Sequence, residues 1–297
     1  MRARATTLVA ALLLALSLLT GAAAARQAAE PPPTALSQMV ETERAFAARA
    51  LEVGWKAAFL EYFADDAIGF ADGAAGYAKE QIGKNPDPPE GLQLLWEPRF
   101  GDIAASGDLG YLTGPVRNIL PSRNKGQPRH SVYASVWKRQ RNGTFKVVMD
   151  VGIDTPSAAP FAAGFTRAPA ASRFTGDYDD NTPPLGAADG VLNSALRGDA
   201  VRAYRGRVAP GARIHRPNAL PVVGEANILK WAASQPALAA SDTRFAESSR
   251  AGDLGYSWGT YQVRRRAAAA QEGFYVRVWV RERSGQWKIA MDITQPQ

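Results

Sequence analysis

Polar and apolar positions follow two rhythms along this chain, and the same succession of rhythms occurs twice. Residues 36–51 place Met39, Val40, Phe46 and Leu51 on a stripe of roughly helical period, with Thr34 or Ser37 able to cap the start. A second, shorter helix is predicted over 55–63, ending at Asp65-Asp66, then a strand over 67–71 and a helical turn over 79–83. Strand-like runs follow at 92–96, 100–105, 109–120, 131–141 and 145–153. Asn142-Gly143 has the composition of a tight hairpin turn between the last two. The second half repeats the order. Helices are expected over 189–197 and 199–208, a strand over 212–216, a helix over 225–233, and strands over 243–249, 254–264, 273–283 and 286–294. Helices first and strands after imply an α+β fold, with helices on one face of an antiparallel sheet.

The two halves also agree residue by residue. Gly-Asp-Leu-Gly-Tyr at 107–111 recurs at 252–256, and Arg99-Phe100 recurs as Arg244-Phe245. The stretch from Val136 to Asp150, which holds Trp137 and Met149, recurs in altered form from Val278 to Asp292, with Trp279 and Met291. The chain therefore divides into a first unit over 34–155 and a second over 185–297. The join, 156–184, is rich in Ala, Pro, Gly and Ser and then acidic at Asp177 to Asp180, and reads as a linker. The acidic part falls short of a calcium loop, with Thr182 where glycine belongs and Ala188 where glutamate belongs.

Residues 1–25 have a basic start (Arg2, Arg4), the apolar run over 8–19 and a small-residue tail ending Ala23-Ala24-Ala25. That is the pattern of a cleaved secretory signal, so the expected location is periplasmic or secreted. The run is too short to span a bilayer, and no later segment is apolar enough to do so. Cysteine is absent and there are two histidines among 297 residues. Disulfides, thiolate metal sites and three-histidine zinc sites are excluded, and no metal site or cofactor is called for. The net charge of +7 is mild and interspersed with acids, and with export it argues against nucleic acid as partner. Nucleophile-elbow, dinucleotide and phosphate-loop motifs are missing.

Each unit resembles the nuclear transport factor 2-like superfamily, which includes ketosteroid isomerase and the SnoaL-like polyketide cyclases. The resemblance is carried by the paired helices before Ala64-Asp65-Asp66-Ala67, by Pro221 to Ile228, and most strongly by the closing hairpins from Gly143 to Asp150 and from Gly285 to Asp292. Within that superfamily the chain looks like the exported, functionally undefined branch. The resemblance implies two tandem cone-shaped domains, each with N-terminal helices on a curved sheet around a largely apolar cavity. Because members commonly dimerise through their sheets, it also implies an intramolecular pseudo-dimer. It does not carry catalytic residues over.

Candidate chemistry comes from the residues themselves. Asp150 and Asp292 each follow an apolar strand; a buried carboxylate there could shuttle protons beside a carbonyl. Simple alternation puts Asp150 with Val148 and Lys146, and Asp292 with Ala290 and Lys288, which predicts partial exposure. His215 lies between Arg213 and Arg216 on the first strand of the second unit, where the first unit has Phe70 or Gly69; it reads as a base or as an edge histidine. Tyr62, Trp96, Tyr133 and Trp137, and in the second unit Tyr204, Trp258, Tyr275, Trp279 and Trp287, could line a pocket or simply fill a core. Asp108 and Asp253 read as turn residues. Cations recur on one hairpin: Arg117, Arg123, Lys125 and Arg129, then Arg264, Arg265 and Arg266.

Three readings follow. The first is an exported tandem protein that binds a small, mostly apolar molecule in an aromatic-lined cavity without a complete acid–base set. The second is an enzyme of the isomerase, cyclase or hydratase kind, with Asp292, His215 or Asp150 moving a proton. The third is an envelope module whose basic hairpins meet anionic partners.

Overall fold

The first unit opens with α1 (Ala35–Val53), whose apolar stripe Met39, Val40, Phe46 and Ala50 is buried, and Thr34 caps it by accepting a hydrogen bond from the Ser37 N–H at 3.1 Å. The structure is a computed structural model that describes residues 34–71, 74–169, 174, 184–263 and 270–297. The proposed signal over 1–25, the acidic stretch 177–180 and the cations at 264–266 lie outside the described residues. After α1 come α2 (Trp55–Tyr62), β1 (Phe63–Ala71), β2 (Ala74–Tyr77) and α3 (Ala78–Lys84). Five strands follow: β3 (Gln93–Trp96), β4 (Phe100–Ile103), β5 (Leu109–Ile119), β6 (Arg129–Arg139) and β7 (Phe145–Thr155). The sheet runs β2-β1-β7-β6-β5-β4, with β3 also on β5.

β8 (Thr166–Arg167) then adds to this sheet by pairing in parallel with β4. This departs from the linker composition. Residues 156–169 pack on the first unit, because Phe161, Phe165 and the buried Ala159 and Ala168 give the segment an apolar face of its own.

The second unit has α4 (Leu185–Leu196), α5 (Ala200–Tyr204), β9 (Val208–His215), β10 (Val222–Val223), α6 (Glu225–Ala232), β11 (Leu238–Ser248), β12 (Leu254–Val263), β13 (Gln271–Arg281) and β14 (Trp287–Pro296). Its sheet order is β10-β9-β14-β13-β12-β11. The α+β architecture, with helices before a long sheet in each unit, is the one expected. One feature differs: β1 pairs in parallel with β7, and β9 with β14, so neither sheet is purely antiparallel.

The helices cover one face of each sheet, and the other two faces pack on each other. Val276, Val278, Val280, Met291 and Ile293 of the second unit join one apolar cluster with Tyr111, Val132, Val136 and Met149 of the first. Phe70 lies 4.7 Å from Phe274 and 5.5 Å from Trp258, and the Arg213 guanidinium sits 4.2 Å over the Phe100 ring. The two Gly-Asp-Leu-Gly turns lock into each other. Asp253 accepts from the Ala105 N–H at 2.9 Å, Ser106 Oγ from the Ala251 N–H at 3.1 Å, and Asp108 from Arg250 at 3.1 Å.

Repetition reaches single glycines. A Cβ on Gly114 would lie 1.9 Å from the Glu97 carbonyl oxygen, and one on Gly259 would lie 2.0 Å from that of Asp242 and 2.5 Å from Tyr275 Oη. Backbone cannot yield there as a flexible side chain would. Gly259→Ala is therefore expected to cost about 2 kcal/mol or more in chemical denaturation. Gly152→Ala, on an equally regular strand with nothing within 4 Å, should stay within about 0.5 kcal/mol of the parent.

Candidate functional site

A one-residue bulge decides which way the repeated aspartates point. On β13 and β14, Val278 pairs with Met291 and Trp279 with Ile289, which leaves Ala290 opposite nothing. On β6 and β7 the same slip skips Val148. The bulge resets the period-two alternation. Asp292 therefore faces the helices together with Ile289, not with Ala290 and Lys288, and Asp150 faces them with Val147, not with Val148 and Lys146. Asp292 is completely buried rather than partly exposed, and Asp150 is half-buried.

In the second unit Asp292 is one corner of a buried ionic network. Arg277 on β13 donates from Nε to Asp292 at 2.9 Å and from Nη1 to Asp189 at 2.7 Å and to Asn193 Oδ1 at 2.8 Å. Arg216, just beyond β9, donates to Asp292 Oδ1 at 2.8 Å, and the Tyr204 hydroxyl to Asp292 Oδ2 at 3.0 Å. Asp189 sits on the apolar stripe of α4 between Leu185, Leu192 and Leu196, and also receives the hydroxyls of Ser257, Thr243 and Tyr275. Two carboxylates and two guanidinium groups thus close a neutral cluster. Burial alone would push the Asp292 carboxyl up, but Arg216 and Arg277 outweigh it and hold it below the ordinary value. Burial would pull Arg277 down, and Asp189 and Asp292 drive it up instead.

This cluster forms the buried end of a cavity of about 620 Å³. Its walls include Leu196, Trp231, Leu238, Tyr261 and Val263, and Tyr204, Tyr275, Arg216 and Arg277 reach it from the cluster. The Arg216 guanidinium lies 4.9 Å over the Trp231 ring.

The first unit places different groups at the same stations. Met39 packs against Gly110 as Leu185 does against Gly255, which aligns Glu43 with Asp189; Trp137 aligns with Trp279, so Ser135 stands where Arg277 does. Glu43 accepts from Trp96 Nε1 at 2.7 Å, Ser135 Oγ at 2.7 Å and Trp137 Nε1 at 2.8 Å. Burial pushes its pKa up against these hydrogen bonds. Burial, then the Glu43 charge, pushes Asp150 well above the usual carboxylate range. The buried Tyr133 hydroxyl has no hydrogen-bond partner among the described residues. Phe46 fills the interior, with ring centroids 4.8 Å from Tyr62, 4.9 Å from Trp96 and 6.2 Å from Trp137.

The remaining candidates divide by position. His215 aligns with Phe70, since β9 and β1 take the same register against β14 and β7. It is buried on the sheet-to-sheet face, away from the cavity, with both ring nitrogens lacking partners. Burial, then Arg213 and Arg216, pull its pKa down to about 3. It is neither a cavity base nor an exposed edge histidine. Trp258 lies on the same outer face, against Phe70. Trp279, whose indole N–H donates to Ser257 at 2.9 Å, and Trp287 border a separate cleft near the closing hairpin. Sequence reasoning missed Glu43, Asp189, Asn193, Arg277, Trp231 and Tyr261. The legible signal was a charge inside an apolar pattern: Glu43 and Asp189 on helical stripes, Arg277 amid Phe274-Tyr275-Val276 and Val278-Trp279-Val280. Among the described residues no group of acids and histidines is placed to hold a metal, and no helix is long and apolar enough to cross a membrane.

No protein-family model and no curated protein sequence matches the chain. Solved structures do. The chain is similar to a ketosteroid isomerase-like protein from Erwinia carotovora atroseptica, at 12% identity and a TM-score of 0.35, over 40% of this chain and 98% of that one. It is similar to a nuclear transport factor 2-like superfamily protein from Salmonella enterica serovar Typhimurium, at 9% identity and 0.32, over 38% and 87%. A third is a protein of ketosteroid isomerase-like fold from Catenulispora acidiphila, solved in complex with trimethylamine, at 13% identity and 0.30, over 36% and 83%.

Proposed function

We propose that this protein is an exported, intramolecular pseudo-dimer whose second unit binds a small, mostly apolar molecule in the cavity beneath Trp231 and Tyr261. The observation that carries this reading is the contrast between the units. Phe46 and its neighbouring rings fill the first interior and leave only an open surface cleft of about 500 Å³ beside Trp55 and Phe59, whereas the second unit's cavity of about 620 Å³ reaches down to a neutral polar floor. Binding is favoured over proton transfer at this site, because Asp292 is held ionised by two arginines and His215 faces elsewhere. The test is native mass spectrometry of the protein purified from its natural host. An added small mass that disappears on denaturation is expected, and it should be absent from Leu196→Trp, which fills the cavity. A bare chain, or an adduct that persists in Leu196→Trp, overturns the reading.

One observation favours an enzymatic alternative in the first unit. Burial, then the Glu43 charge, shifts Asp150 toward its protonated form, and it lies on the same interior face as Tyr133. An isomerase, cyclase or hydratase would use Asp150 to move that proton, and Asp150→Asn would then abolish turnover while leaving second-unit binding intact.

A further inference from the structure

We infer that the molecule bound by the second unit is uncharged and presents a hydrogen-bond acceptor, a carbonyl oxygen, to Arg277; this rests on the cavity reading above. Every carboxylate oxygen at the cavity's buried end is engaged by protein. Asp189 Oδ1 accepts from Ser257 and Arg277, and its Oδ2 from Tyr275 and Thr243. Asp292 Oδ1 accepts from Arg216, and its Oδ2 from Tyr204 and Arg277. The Tyr204 and Tyr275 hydroxyls are spent on these acids. What remain are donors: Arg277 Nη2 and Arg216 Nε make no hydrogen bond among the described residues although both side chains line the cavity, and Arg277 is the deeper of the two, 2% exposed against 17% for Arg216.

Charge then selects among acceptors. Arg277 and Arg216 are already matched by Asp189 and Asp292, so a carboxylate entering this end brings one uncompensated negative charge into a site whose charges already balance. An ammonium brings an uncompensated positive charge beside Arg277 and Arg216, where both carboxylates are already engaged. A neutral carbonyl oxygen satisfies Nη2 and leaves the balance untouched, while the apolar walls take the rest of the molecule.

Calorimetric titration with four cyclohexane probes of matched size tests this: cyclohexyl methyl ketone, cyclohexanecarboxylate, cyclohexylmethylammonium and ethylcyclohexane. The ketone is expected to bind tightest, by about tenfold or more over ethylcyclohexane, with both ions weaker than the ketone. Trp231→Ala should weaken binding of the ketone and ethylcyclohexane alike, which assigns it to the cavity. Arg277→Lys, which keeps a cation for the two aspartates but removes the guanidinium fork, should shrink the ketone-to-hydrocarbon ratio below about threefold. Binding of the carboxylate or the ammonium at least as tight as the ketone, or equal binding of all four, overturns the inference and leaves the cavity reading standing. If none binds, the cavity reading fails and the inference with it.

Discussion

Arg277→Ser, which installs in the second unit the residue the first unit carries at the equivalent place, is expected to lower stability by about 3–5 kcal/mol at neutral pH, as removal of one partner from a buried ion pair does. Arg277 joins Asp189 at 2.7 Å and Asp292 at 2.9 Å, and all three side chains are essentially hidden from solvent. Serine can replace neither the charge nor the reach. Arg216 would then be the one cation on Asp292, beside the Tyr204 hydroxyl, and Asp189 would keep only hydroxyl and amide donors.

The pH dependence separates this mechanism from lost packing. In the parent, the Asp292 carboxyl lies below its ordinary value, so its contribution is present above the unfolded value and is lost as pH falls through the folded one. In the serine variant Asp189 is a buried carboxylate with no cation beside it, and that uncompensated charge costs stability which acid relieves. Denaturation at pH 7 and pH 4.5 should therefore show the gap between variant and parent narrowing on the acid side. Adding Asp189→Asn to Arg277→Ser should recover part of the loss at pH 7. A gap that is constant with pH would show that Arg277 acts by volume alone. The first unit is consistent with this: with Ser135 in place of arginine, burial raises the Glu43 carboxyl above its ordinary value and pushes Asp150 further still.

The periodicities carried the architecture because they are local. The stripe of α1, the β-hairpin signal at Asn142-Gly143 and the duplicated segments each depend on a few adjacent residues. The site was less legible for two reasons. The bulges that skip Val148 and Ala290 lie at the steps from Val136 to Trp137 and from Val278 to Trp279 on the neighbouring strands, and no signal inside β7 or β14 announces them; they reversed the inferred faces of Asp150 and Asp292. The second reason is compensation at a distance. Asp189, Arg277 and Asp292 come from one helix and two strands, and each looked like an isolated charge because its partner is a separate element. The aromatic residues misled in a different way: ring content cannot say whether a face meets a helix or another sheet, and Trp258 meets the other sheet.

His215→Phe should make the protein markedly more resistant to acid, and the duplicated architecture says why. The first unit has Phe70 at this station, packed against Phe274 and Trp258 between the sheets. The second has an imidazole in the same apolar layer, with neither nitrogen partnered and with Arg213 and Arg216 nearby. Burial, reinforced by those two cations, brings its folded pKa to about 3 from 6.5. A base whose folded pKa is depressed binds its proton more readily in the unfolded chain. Stability is therefore unaffected above 6.5 and falls as pH drops below it, at about 1.4 kcal/mol per pH unit, until the folded value is reached. Relative to its own value at pH 7.5, the parent should have lost about 2 kcal/mol more than His215→Phe by pH 5. His215→Leu should remove the same slope whatever its packing does to the absolute stability, since neither side chain takes up a proton. Urea denaturation at half-unit steps from pH 7.5 to pH 4.5 measures the difference. Parallel curves for parent and both variants would show that the imidazole reaches solvent or an acceptor and that the sheet-to-sheet layer is not dry at His215.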